Sequence, residues 1–178
     1  MATDTLTEEQ QRVRGYLRTQ GEKYTWFELW RRLAGSRLEL LDVLDGVSEE
    51  QAAFVPAEGE WSIAEVAQHV AKGSRSNALL VERLATGSEV SDTSGVEPPR
   101  APAEMSMDEL REELLLNAVE FASLPPRLPE PPSFELEAPH PFFGDLHCKA
   151  WYLFQRVHDV DHMKQIAAVK AADNYPAS

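Results

Sequence analysis

The chain has 178 residues, 17 of them Lys or Arg and 30 Asp or Glu, for a formal charge of −13. Apolar residues at 43% and charged residues at 26% are ordinary for a globular protein, and the length supports one self-sufficient core, spanning 1–178, rather than two. The acidic excess excludes nucleic acid as a partner, because backbone binding draws on clustered Lys and Arg, and no run of about 18 apolar residues offers a membrane span. The single cysteine, Cys148, permits no internal disulfide and no zinc site built on Cys ligands. Together with a polar Met1–Gln11 segment that lacks the apolar centre of a signal peptide, this reads as a cytoplasmic protein.

Ten of the twelve prolines fall between Pro98 and Pro141, which leaves the rest of the chain free to be helical. Thr7-Glu8-Glu9-Gln10 is a capping-box sequence, and with Val13 and Leu17 behind it predicts a short helix over 7–21. From Tyr24 to Leu44 apolar residues recur at three- and four-residue spacing, the pattern of a long amphipathic helix that Asp45-Gly46 stops. Ser62-Ile63-Ala64-Glu65 opens a helix to about Ala85, and Ser106-Met107-Asp108-Glu109 opens another that Pro125-Pro126 ends. Asp145 is the expected cap of a last helix reaching Ala172.

No segment alternates in the manner of a half-buried strand, so strands are not expected as major elements. The fold class is therefore all-α: a four-helix bundle over about 24–172 preceded by a short N-terminal helix. The connections of about 17 and about 20 residues are long enough to run the length of a bundle. An apolar stripe on the N-terminal helix is compatible with a homodimer and equally with packing inside one chain.

His158-Asp159-Val160-Asp161-His162 is an i, i+4 pair, and about 400° of helical advance sends both imidazoles from one face. That spacing lets two ring nitrogens converge on one ion, although chance alone produces it often. His69, in Val66-Ala67-Gln68-His69-Val70, lies on a helix whose antiparallel placement against the last one brings the three histidines to comparable depth. Gly73 and Asn77 follow His69 by one and two turns, where small and polar residues leave a cavity or permit close packing. Gln165 lies one turn past His162.

The string Glu60-Trp61-Ser62…Glu65…His69, followed by His140-Pro141-Phe142-Phe143-Gly144 and by His158, His162 and Gln165, resembles the DinB/YfiT superfamily from about Tyr24 to Ala172. The resemblance implies an up-down-down-up four-helix bundle with a divalent metal held by His69, His158 and His162. It further implies either a metal-dependent hydrolase or a transferase or isomerase that uses a low-molecular-weight thiol of the mycothiol or bacillithiol type. Three neutral imidazoles suit zinc or nickel and leave a coordination position open to water or to a thiol.

The partner on this reading is a small-molecule substrate, and the rival of another class is a non-catalytic metal- or ligand-binding stress protein. Candidates for acid–base or substrate contacts are Glu65, one turn before His69, together with Gln165 and Asn77. Glu65 is also the last residue of a capping box, and that role has the stronger claim. Asp159 and Asp161 read first as solvated charges and second as hydrogen-bond acceptors for the imidazoles. His147 belongs to the same stripe of the last helix, too far from His158 for one ion, and Cys148 reads as a buried, inert thiol. His140-Pro141-Phe142-Phe143-Gly144 shapes the entry to the last helix, with a place at a pocket rim as the lesser reading.

Overall fold

The computed structural model describes residues 6–177; Met1–Thr5 and Ser178 lie outside the described residues. Five of its six helices open with a reciprocal capping box, in which a Thr or Ser side chain accepts from the third backbone N–H and a Glu or Gln returns the bond. These start α1 (Glu8–Lys23), α2 (Trp26–Leu44), α3 (Glu49–Ala53), α4 (Ile63–Ala85) and α5 (Met107–Ser123). The Thr25 and Ser48 boxes and the one-turn helix α3 come in addition to the elements that the sequence pattern marks.

The last helix, α6 (Cys148–Lys170), begins later than Asp145. Residues just before it form an antiparallel hairpin, β1 (Glu137–His140) with β2 (Gly144–His147). The ladder commits the backbone of Asp145 and Leu146 to β1, so capping passes to His147, whose Nδ1 accepts from Ala150 N–H at 3.2 Å. His147 is thus a fully buried cap and not part of the helical stripe. The hairpin escapes the sequence pattern because Pro139 and Pro141 interrupt it, and a two-stranded ribbon carries little alternation of its own. The all-α class stands with this small ribbon added.

Helices α2, α4, α5 and α6 form the bundle, with α6 packed against α2 and α4. One apolar region gathers Leu29, Leu33, Leu84, Phe121, Trp151 and Tyr152; the other gathers Leu40, Leu44, Ile63, Met107, Leu110 and Ile166. Burial of each such side chain is worth about 1.5–3 kcal/mol. Between the two regions runs a polar layer. Arg37 sits between Leu33 and Leu40 on α2, Ser74 between Ala71 and Ala78 on α4, and Asp159 between Phe154 and Ile166 on α6. Arg37 donates Nε and Nη2 to the two oxygens of Asp159 at 2.9 Å each, Nη2 also to Ser74 Oγ at 2.8 Å, and Nη1 to Leu114 O at 3.1 Å. Asp159 is therefore no surface charge: it is 0% exposed.

Helix α1 lies along α6 and the hairpin, with Leu17 fully buried and Arg18 paired to Glu137. Its apolar stripe is spent inside the chain. The exposed large apolar side chains include Phe27 and Leu38 on α2 and Leu115, Leu116 and Val119 on α5. Among the described residues no helix is long and apolar enough to cross a membrane.

Candidate metal centre

Gln155, which donates to Asp159 at 2.9 Å and lies 3.5 Å from His158 Nδ1, links the polar layer to the site. His158 and His162 leave α6 one turn apart, and His69 faces them from α4. Their Nε2 atoms converge: His69 to His158 is 3.1 Å and His162 to His158 is 3.2 Å, and all three ligand atoms lie within 4.8 Å of one another. His69 and His158 are buried and His162 is half-buried.

The other face of the rings fixes which nitrogen carries hydrogen. His69 Nδ1 lies 2.8 Å from Pro98 O, which can only accept, and His162 Nδ1 lies 2.9 Å from Gln165 Oε1. Both rings hold their hydrogen on Nδ1, so in the neutral form both present a lone pair at Nε2. His158 Nε2 stands between them with at most one hydrogen to offer. Burial, and then the neighbouring His158, push His162 down to about 3, so protonation of that ring does not supply the missing hydrogen near neutral pH. Three converging imidazole nitrogens short of hydrogens fit a cation, and outward-facing acceptors on the Nδ1 side are the support that metal-binding histidines require.

Each sequence candidate has a definite place. Gln165 accepts from His162 and lines the cavity, so it orients a ring. Glu65 returns the capping bond to Ser62 N–H at 2.9 Å and is held by Arg100 through Nε and Nη2 at 3.1 and 2.9 Å. Burial pushes its carboxyl up, but the bonds from Arg100 and Ser62 outweigh it and hold the carboxyl below its ordinary value. It does not line the cavity. Asn77 is fully buried, donating to Trp151 O at 3.1 Å and Gln155 Oε1 at 3.3 Å, and ties α4 to α6 within the core. Cys148 is buried and its thiol is pushed up to about 11, so it is inert.

A carboxylate that the sequence did not single out completes the cluster. Glu97, from the segment joining α4 to α5, places Oε2 3.3 Å from His69 Nε2 and 3.7 Å from His158 Nε2. Its position depends on Gly73. A Cβ there would meet Val96 O at 2.5 Å, so only glycine lets the segment lie on α4. Gly73 therefore serves close packing, of a loop rather than of a helix. No spacing rule links residue 97 to a helix face, which is why the sequence was silent.

A cavity of about 780 Å³ adjoins the cluster. Trp61, Phe142, Phe143 and Phe154 supply aromatic walls, the cap Thr7 with Gln10 and Val13 of α1 forms another, and Glu9 and Asp161 add carboxylates. Phe142 and Phe143 thus line the cavity, and the hairpin they join also shapes the entry to α6, with Phe143 packed against the core.

A family model described as the DinB superfamily matches residues 32–166. The uncharacterized protein YuaE of Bacillus subtilis (strain 168) is 27% identical over 157 residues, covering 76% of this chain and 93% of that protein. The crystal structure of TT2238, a four-helix bundle protein, matches with a TM-score of 0.52 at 29% identity, covering 81% of this chain and 99% of that one. The family match runs from α2 into the last turns of α6 and includes all three histidines; the chain belongs to the DinB superfamily.

Proposed function

We propose that this protein is a metal-dependent enzyme that hydrolyses a small molecule, with His69, His158 and His162 as ligands to zinc or nickel. The observation that carries this reading is the convergence of three Nε2 atoms, two of them stripped of hydrogen by acceptors on the far side of the ring, at the wall of an open cavity. A divalent ion there would supply Lewis-acid activation of water near neutral pH. The chain's own groups do the rest: Pro98 O and Gln165 hold the rings, and the aromatic wall receives an apolar part of the substrate.

Carboxylates favour this reading over use of an anionic thiol cofactor. Glu9, Glu97 and Asp161 all border the cavity, while Arg100, the cation beside them, is engaged by Glu65. A negatively charged thiol would meet like charge.

The test is elemental analysis of untagged protein and of His158→Ala, followed by a screen of ester and amide substrates. About one zinc or nickel per chain, absent from the variant, together with turnover that the variant lacks, is the expected result. Metal without turnover would favour the non-catalytic binding protein. Absence of metal in both proteins after reconstitution would end the proposal.

A further inference from the structure

We propose that Glu97 is a fourth protein ligand to the metal, delivered by the α4–α5 segment and positioned by His140. This rests on the three-histidine reading above and adds to it a donor from outside the helices.

The first argument is distance. Around an ion with bonds of about 2.0–2.1 Å, neighbouring donors stand about 3.3 Å apart in a tetrahedron and about 2.9 Å apart in an octahedron. Two of the three histidine–histidine separations are 3.1 and 3.2 Å, and Glu97 Oε2 adds separations of 3.3 and 3.7 Å. The carboxylate oxygen already sits at ligand spacing from two of the three nitrogens.

The second argument is charge. The Glu97 side chain is 16% exposed, and its ion-pair partners are imidazoles: His69, His158 and His140. This carboxylate brings negative charge to the point where the ring nitrogens converge, the complement of a bound cation. The segment holds it there from both sides. Val96 is buried in the apolar region against Gly73, and Pro98 O accepts from His69 Nδ1.

The third argument is an unpartnered buried atom. His140 Nδ1 accepts from Phe142 N–H at 3.1 Å, so its hydrogen is on Nε2. That Nε2 is buried without a hydrogen-bond partner and lies 3.8 Å from Glu97 Oε1. Phe143, Trp151 and Phe154 pack around the ring with centroids 4.3–4.9 Å away and fix its aim. A carboxylate that ligates through one oxygen while the other faces a ring N–H has the outer support that metal-bound carboxylates need. The hairpin that displaced the start of α6 thereby acquires a purpose, because it carries His140.

The experiment measures Zn²⁺ affinity by chelator competition and the visible spectrum of the Co²⁺-loaded full chain, for wild type, Glu97→Gln, Glu97→Asp, His140→Phe and His158→Ala. Glu97→Gln is expected to weaken Zn²⁺ binding at least about tenfold and to change the Co²⁺ bands, with Glu97→Asp recovering part of both. His140→Phe should weaken affinity by a smaller factor. Persistence of the helical circular dichroism signal in metal-free Glu97→Gln, alongside the altered Co²⁺ bands, separates ligation from a folding defect. Unchanged affinity and an unchanged Co²⁺ spectrum in Glu97→Gln, with metal still lost in His158→Ala, would overturn the role of Glu97 and leave the three-histidine site standing. Failure of the wild type to bind either ion would overturn both.

Discussion

Removal of Asp159 tests whether the polar layer is held by charge pairing. Asp159 accepts three bonds of 2.9 Å, two from Arg37 and one from Gln155 Nε2, and neither charged partner is more than 2% exposed. Asp159→Ala leaves the guanidinium in the core with only Ser74 Oγ and Leu114 O, an uncompensated buried charge that costs about 3–5 kcal/mol. That is a large part of a total stability of about 5–15 kcal/mol. With a urea m of about 2 kcal/mol/M, the unfolding midpoint falls by roughly 2 M. Arg37→Met is expected to cost a similar amount for the mirror reason. The double variant Arg37→Met/Asp159→Ala removes both charges and should cost much less than the sum of the singles, a coupling of several kcal/mol between the sites. Urea unfolding followed by far-UV circular dichroism on the four proteins gives the cycle. A cost below about 1 kcal/mol for Asp159→Ala, or a double variant as unstable as the sum of the singles, would refute the reasoning.

Three further outcomes follow from named contacts. His158→Ala should abolish stoichiometric zinc or nickel while the helical circular dichroism signal persists; metal retained at one per chain would contradict the assignment. Gly73→Ala places a methyl group against Val96 O, at a cost of about 1–3 kcal/mol that outweighs the helix-propensity gain of about 1 kcal/mol. Its urea midpoint should fall and its metal affinity weaken as Glu97 is displaced, whereas a raised midpoint would show the segment is not pinned there. Burial pushes His140 and His147 from 6.5 down to about 4, so between those values the unfolded chain binds protons that the folded chain does not. Stability therefore declines as pH falls from about 6.5 to about 4, each ring contributing about 1.4 kcal/mol per pH unit, and the slope ends below the folded value. His147→Asn, which retains a capping side chain, should reduce the slope of unfolding free energy against pH by one ring's share; an unchanged slope would show that His147 titrates normally in the fold.

Local rules settled a large part of this molecule before any contact was known. The boxes at Thr7, Ser62 and Ser106 fix where three helices start, because each cap is satisfied within four consecutive residues. The 3.6-residue period places Leu29, Leu33 and Leu44 of α2 in the core, although Phe27 and Leu38 of the same apolar pattern are exposed, and the i, i+4 spacing fixes that His158 and His162 share a side of α6. What lay between helices was decided otherwise. The position of Glu97 depends on a glycine 24 residues earlier and on a carbonyl accepting from His69, and neither relation has a period in the sequence. Asp159 and Asp161 look alike in the chain, yet one is buried on Arg37 and the other exposed beside the cavity, since side chains two positions apart on a helix point about 200° apart. The hairpin took the start of α6 from Asp145 because pairing between distant backbones outranks a local cap. Short-range hydrogen bonding and helical periodicity are carried by neighbours in sequence, and so the helices were legible. Charge pairing, cavities and the fourth face of the histidine cluster arise only where the folded chain meets itself.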